Sequence, residues 1–195
     1  MTTLPGFNLI FHSIRPGGGM ERHVLDLISY AATHGIPIRV ITRKLEWPGT
    51  LPPGVEFVVV RDRTPFSRVN TYFFENRALA KCRMDWPCIA ISRVPGAQLT
   101  IVGGTHLGHL LDRGKKHIGF FDRATIARER ALYDQATRIV SHSAKVSGEI
   151  IRLYGIEPGN ITTLYPPVDT EKFSLSARKD REQTRQSIGV APDDL

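Results

Sequence analysis

Three runs of the sequence carry residue types suited to chemistry. The first is Arg15-Pro16-Gly17-Gly18-Gly19-Met20-Glu21-Arg22, set between a stretch that reads as strand and one that reads as helix. Backbone amides at a helix N-terminus, unshielded by side chains, can hydrogen-bond a phosphate, and the helix dipole adds a favourable field there. The same glycines also suit a tight turn that needs them for backbone angles alone. No Gly-Lys-Ser/Thr follows, so the run is not a Walker A loop. Nor is it the dinucleotide fingerprint: Arg22 stands where the third Gly belongs, and the second strand ends in Thr42-Arg43 rather than an acid.

The second run is Gly103-Gly104-Thr105-His106, directly after the apolar Leu99 to Val102. A His at the carboxyl end of a parallel strand lies on the edge where open α/β sheets bind ligands; the alternative is a loop His without a task. His109 follows at i+3, but no carboxylate or third ligand stands near it in sequence, so no metal is expected. The third feature is a basic set: Arg61, Arg63, Arg68, Arg77, Lys81, Arg83, Arg113, Lys115 and Lys116. Phe66, Tyr72, Phe73 and Phe74 are interleaved with its first members. That mixture fits an amphipathic surface resting on anionic lipid, or equally core packing beneath solvated charge.

The elements that must position these residues alternate between strand and helix, the pattern of a Rossmann-like, doubly wound α/β domain whose mostly parallel sheet carries helices on both faces. Expected strands are Phe7 to His12, Ile38 to Thr42, Val55 to Val60, Cys88 to Ser92, Leu99 to Val102, Arg138 to Ser141 and Ile161 to Tyr165. Their near-continuous apolar character suits a sheet covered on both sides. Expected helices run from about Met20 to His34, Arg68 to Arg83, Arg123 to Gln135 and Ala144 to Tyr154. In the first, Val24, Leu27, Ile28 and Ala31 repeat at helical spacing and Gly35 supplies the stop. Trp47 and Trp86, each beside a Pro, read as packing residues.

At 195 residues the chain has room for one full domain and a remainder too short to fold as a second. Apolar residues at 41% and charged residues at 23% exclude disorder, collagen and coiled coil. Composition turns polar after Phe173, which divides the chain into a domain over residues 1–173 and a tail over 174–195. The formal charge of +7 is uneven: 20 Lys and Arg face 12 Asp and Glu in residues 1–150, and 6 face 7 thereafter. Such a surplus favours an anionic partner. Cys82 and Cys88 have no zinc-like spacing around them and are expected as buried or half-buried thiols in a reducing compartment. The N-terminus lacks the basic and apolar regions of a signal peptide, and no run is long enough to span a bilayer, so a cytoplasmic location is expected.

Taken together, Gly17-Gly18-Gly19-Met20-Glu21-Arg22-His23 after the first strand, Ile139-Val140-Ser141-His142-Ser143 after a late one, and Tyr165-Pro166-Pro167-Val168-Asp169-x-x-x-Phe173 resemble the N-terminal half of family 4 retaining glycosyltransferases. The look is nearest to bacterial enzymes of lipopolysaccharide core synthesis. The resemblance implies one half of a GT-B fold, two Rossmann-like domains with the active site between them. It implies transfer of a sugar from a nucleotide-sugar donor to a phosphorylated glycolipid or glycan acceptor, with retention and without a cofactor or metal. The amides of Gly17, Gly18 and Gly19 would approach the donor diphosphate, Glu21 and Arg22 would shape that loop, and His106 would take the place of the family's active-site His beside the donor sugar. Arg61, Arg63, Arg68, Arg113, Lys115 and Lys116 would form the acceptor or membrane surface at the inner face of the cytoplasmic membrane.

The sequence departs from the family pattern in two places. Pro166-Pro167 replaces the commoner Asn-Gly, and the donor domain's Arg/Lys pair and E-x7-E motif are not found. Glu149 and Glu157 have the latter spacing but fall inside the first domain, so the spacing is read as coincidence. Residues 174–195 then read as a linker and the start of a C-terminal donor domain, and the chain by itself is expected to be inactive. The rival reading is a stand-alone Rossmann-like module that binds an anionic ligand or membrane without catalysis. Nucleic-acid binding is disfavoured, since no helix-turn-helix, zinc finger or patterned aromatic platform is visible.

Overall fold

The computed structural model describes residues 5–47, 49–168, 170 and 181–191. In chain order the elements are β1 (Phe7–Ile10), β2 (Ser13–Ile14), α1 (Gly19–Thr33), β3 (Ile38–Thr42), β4 (Lys44–Leu45), β5 (Val55–Val59), α2 (Ser67–Arg77), β6 (Cys88–Ala90), β7 (Leu99–Val102), α3 (His106–Asp112), α4 (Phe120–Gln135), β8 (Arg138–Ser141), α5 (Ala144–Tyr154), β9 (Ile161–Thr163) and α6 (Arg181–Ser187). Seven strands pair in the order β5-β3-β1-β6-β7-β8-β9, every pairing parallel. The expected doubly wound sheet is therefore present. The short β2 and β4 form a separate parallel pair.

Alternation along each strand sends neighbouring side chains to opposite faces. Leu9 and Val40 pack with Val24, Ile28 and Ala31 of α1, while Ile10 and Ile41 pack with Phe74 of α2 and with Ala78. A third cluster joins Ile139 to Leu132 and Tyr133 of α4 and to Val146, Ile150 and Tyr154 of α5. Trp47 packs on the first cluster with its ring 5.4 Å from that of Phe57. Cys82 and Cys88 are both free thiols, the first half-buried and the second buried, with their sulfurs 3.8 Å apart.

Several boundaries differ from the sequence expectation, each for a local reason. Strand β1 stops at Ile10, because the Ser13–Ile14 backbone leaves the sheet to pair with Lys44–Leu45. Helix α2 ends at Arg77, and Leu79–Lys81 tightens into a 3-10 turn whose Cys82 N–H bonds the Leu79 carbonyl. Helix α4 starts three residues early, where the Gly119 N–H donates to Asp122 Oδ2 at 3.2 Å. Helix α3 was not expected; Thr105 caps it, with Oγ1 accepting from the Gly108 N–H at 3.0 Å.

The chain divides into two compact units, Met1–Tyr165 and Pro166–Leu195. The expected boundary at Phe173 and the tail over 174–180 lie outside the described residues, as does Asp169. Residues Arg181–Ser187, expected as linker, form a polar helix with no buried face, which is why apolar periodicity is silent about it.

Candidate functional site

The strand order reverses between β1 and β6, and in open α/β sheets ligands bind outside the carboxyl ends of the strands at that point. A cleft of about 390 Å³ opens there, with His12 following β1, Arg93 following β6 and Gly103 following β7. Met20 and Glu21 of α1 close one side, and Glu129 and Tyr133 of α4 contribute to the other. Gly103 lets the two parts approach: a Cβ built on it would stand 2.6 Å from Met20 Sδ.

The glycine run directly precedes Met20 and Glu21, the two residues of α1 that line this cleft. Gly17 has φ +156°, Gly18 is the N-cap residue of α1, and Gly19 opens the helix. No side chain makes a capping hydrogen bond to the first turn of α1. A Cβ on Gly18 would lie 2.8 Å from Glu21 Oε2, which places that carboxylate over the helix N-terminus, 3.9 Å from Arg15 Nε. Arg22 is set differently, on the solvent side of α1, 4.0 Å from Asp26.

His106 is the first residue of α3 and is held from two directions. Its Nε2 is 3.0 Å from Asp122 Oδ1, and its backbone N–H donates to Glu129 Oε1 and Oε2 at 3.1 and 2.9 Å. Lys115 Nζ donates to Asp122 Oδ2 at 2.6 Å, and this bond, with that of His106, holds the Asp122 carboxyl down at about 2. Asp122 is therefore ionised throughout the neutral range and fixes the orientation of the imidazole. The ring borders a second cavity, next to the cleft, that also receives Arg68.

Beneath the cleft lies a network of buried charge that the sequence reading did not single out. Glu129, 2% exposed, accepts from Arg93 Nε at 2.8 Å and from the Tyr154 hydroxyl as well as from His106. Burial works against the charge on Arg93, but the Glu129 carboxylate, with Glu75 and Tyr133 adding to it, raises the guanidinium above its ordinary value. Glu75 of α2 is 7% exposed and has Arg128 Nε 3.4 Å from Oε2. Burial pushes its carboxyl up to about 7, although Arg93 and Arg128 pull the other way. Glu149 is also buried and accepts from Thr105 Oγ1 at 2.7 Å. Glu157 is exposed, so the E-x7-E spacing joins no common site. Glu75 and Glu129 had no sequence signal, because an acid on a helix face reads as solvated until the packing is known.

Two further histidine environments adjoin the glycine helix. The rings of His23 and His142 meet edge to face at 4.7 Å, and burial lowers both below the usual value. Burial, followed by Arg43, also lowers His12, whose backbone N–H donates to Ser92 Oγ at 2.9 Å. Among the described residues no three His, Cys, Asp or Glu converge as a metal site requires.

The basic set is spread over several elements. Arg68 stands 6.0 Å from the Phe121 ring, and Lys115 is tied to Asp122. Arg61 and Arg63 are exposed after β5, where the Arg63 N–H bonds Asn70 Oδ1. Arg113 is the C-cap residue of α3, and Lys116 lies beside Arg123 and Arg130 around a shallow depression. Phe74 is core, whereas Phe66, Tyr72 and Phe73 are exposed along with Phe120 and Phe121. The core reading therefore holds for Phe74, and the other three rings lie on the surface. No described helix is long and apolar enough to cross a membrane.

With this geometry in view, residues 17–172 match the sequence profile of Glycosyltransferase Family 4. A probable transglycosylase of Burkholderia thailandensis is 32% identical over 178 residues, covering 84% of this chain and 45% of that protein. D-inositol 3-phosphate glycosyltransferase 2 of Catenulispora acidiphila is 33% identical over 204 residues, covering 90% and 47%. In three dimensions the chain is similar to WaaG, a glycosyltransferase involved in lipopolysaccharide biosynthesis, with a TM-score of 0.76, 20% identity and coverage of 96% and 52%. A glycosyltransferase from Rickettsia africae ESF-5 gives a TM-score of 0.54 at 14% identity, with coverage of 96% and 51%. The chain spans about half the length of each of these proteins.

Proposed function

The chain belongs to glycosyltransferase family 4, and on that premise we propose that it forms the acceptor side of a retaining enzyme that moves a sugar from a nucleotide donor to a glycolipid or polysaccharide of the cell envelope, the lipopolysaccharide core or a similar glycan. The observation that carries this reading is the glycine-rich N-terminus of α1, without a side-chain cap, whose Met20 and Glu21 line the cleft where the strand order reverses. As the donor's glycosidic bond breaks, negative charge grows on the leaving diphosphate. Amides already pointed at that charge, in a site shielded from water, lower the barrier without reorganising. The acceptor hydroxyl attacks from the face the diphosphate leaves. His106, fixed by Asp122 and Glu129, lies beside the donor sugar. The remaining contacts to the donor come from a donor-binding domain, so the 195 residues alone transfer sugar at no more than a trace rate.

The exposed aromatics and free cations around Phe120, Arg113 and Lys116 support a peripheral seat on the anionic inner face of the cytoplasmic membrane, where each cation contributes about 1 kcal/mol. A phosphorylated glycolipid acceptor reaches the cleft from that surface.

Two substitutions test the site in the active enzyme. Gly18→Val drives a branched side chain into the Glu21 carboxylate and covers the α1 amides. Turnover is expected to fall at least about tenfold, about 1.4 kcal/mol of barrier, with unfolding still cooperative. Unchanged kinetics would reduce the glycines to a turn. His106→Ala is expected to lower kcat more than KM; a loss under about threefold, ~0.7 kcal/mol, would remove His106 from the reacting centre.

A further inference from the structure

The second cavity, about 250 Å³, lies between α2 and α4 and shares Thr71, Glu75 and Arg93 with the main cleft. It is smaller than the usual pocket for a drug-sized ligand, which limits it to about one ring. Tyr72 and Phe121 stand on its walls, 50% and 52% exposed, and Glu75 and Arg128 lie at its base. A sugar or cyclitol ring presents an apolar C–H face and a rim of hydroxyls that both donate and accept. Recognising it requires an aromatic surface for the face and fixed polar groups for the rim, and this cavity has both.

The polar groups are held ready. Arg128 lies with its guanidinium carbon 4.5 Å from the centre of the Tyr72 ring and donates from Nη2 to Asn76 Oδ1 at 2.8 Å. Its Nε is 3.4 Å from Glu75 Oε2, too long for a good hydrogen bond; the Glu75 carboxyl accepts from the Arg93 backbone N–H and, with two oxygens, keeps further acceptor capacity facing two cavities. A buried acid retained in that position is costly unless something else uses it. Most of the charge on the lining is paired within the protein, Arg93 with Glu129, Arg128 with Glu75 and Asp122 with Lys115, while Arg68 stands 6.0 Å from the Phe121 ring. The aromatic walls favour a neutral ring, and phosphate is the competing ligand in the test.

We propose that this cavity is a carbohydrate subsite holding one neutral, hydroxyl-bearing ring of the acceptor, with Tyr72 against its C–H face and Glu75 accepting from its hydroxyls. This rests on the reading of the chain as an acceptor domain and deepens it. A ring seated here lies beside His106 and sends the adjoining part of the acceptor past Arg93 into the main cleft.

The test is an NMR titration of the isotopically labelled 195-residue chain with methyl α-D-glucopyranoside, with myo-inositol and with inorganic phosphate. Saturable shifts are expected with at least one of the two polyols, at a millimolar Kd, centred on Tyr72, Thr125 and Arg128. Tyr72→Ala, at an exposed position, and the near-isosteric Glu75→Gln should each weaken that binding at least about fivefold, a change of ~1 kcal/mol, with the rest of the spectrum in place. The proposal is overturned if neither polyol shifts these residues by about 100 mM, a concentration that would populate a millimolar complex, if phosphate alone does, or if both variants bind as the parent does. The outcome is separable from that for sugar transfer. Polyol binding here with no sugar transfer even when the chain is joined to a donor-binding domain leaves the subsite standing and removes the enzymatic reading, whereas transfer by the joined protein without polyol shifts removes the subsite alone.

Discussion

Replacing Glu129 with Ala is expected to cost about 3 kcal/mol of folding stability, the lower end of the range for breaking a buried ion pair, because the Arg93 side chain is 38% exposed and recovers some hydration. One carboxylate serves three elements: it neutralises Arg93 after β6, accepts from the Tyr154 hydroxyl on α5, and receives the backbone N–H that begins α3. Removing it leaves a cation, a hydroxyl and an amide without their acceptor beneath the cleft. Glu129→Gln keeps an acceptor oxygen and loses the charge, so its cost should be about half as large. Chemical denaturation at neutral pH reads both values. A loss under about 1 kcal/mol for Glu129→Ala would mean that the network rearranges freely, and His106 would no longer be held as described.

Glu75→Gln is expected to act in the opposite direction, stabilising the fold at pH 8 by on the order of 3 kcal/mol and giving almost no gain at pH 4. The folded carboxyl titrates near 7, above the ordinary value of 4.5. As pH rises from 4.5 to 7 the unfolded chain releases this proton first, so the parent loses stability across that window and stays penalised above it. Gln cannot ionise and escapes the loss. The groups facing Glu75 are Arg93 and Arg128, which favour its charged form, and Glu129, which opposes it; burial outweighs them. Denaturant midpoints of parent and variant should converge towards acid and separate towards alkali. A pH-independent offset would show that Glu75 is ionised at ordinary acidity and compensated in place. The gain in stability together with the loss of polyol binding is the trade expected of a residue kept for function.

What the sequence made legible follows from local physics. The runs around Leu9, Val40 and Ile139 lie in a sheet covered on both faces, so their apolar character announced them. Helix α5 was delimited correctly because both of its ends are written locally: Ser143 caps the start by accepting from the Val146 N–H, and Gly155 ends it at φ +72°. Helix α3 was illegible for the converse reason. His106-Leu107-Gly108-His109 has little intrinsic preference for helix, and part of what starts it is Glu129, 23 residues away. Among the candidate residues, the glycine run and His106 carry local signals, glycine spacing and a His after a strand. Asp122, Arg93, Glu75 and Glu129 could not be, because their meaning arises only when α2 and α4 pack beside the ends of β6 and β7. Arg22 shows the limit of reading a role from a motif: it lies next to the loop in sequence, but the turn of the helix carries it to the solvent side.

The most direct test of the central claim is sugar transfer itself, with labelled nucleotide sugars offered against phosphorylated bacterial glycolipid. One arm uses the 195 residues alone, and the other uses the same residues joined to the donor-binding domain of a family 4 relative. The account predicts label entering the glycolipid, with the donor's anomeric configuration preserved, in the joined protein and a loss of at least about tenfold on Gly18→Val. It also predicts no more than a trace from the 195 residues alone. Ordinary turnover by the isolated chain, an inverted product, or transfer by the joined protein that ignores Gly18→Val would contradict it.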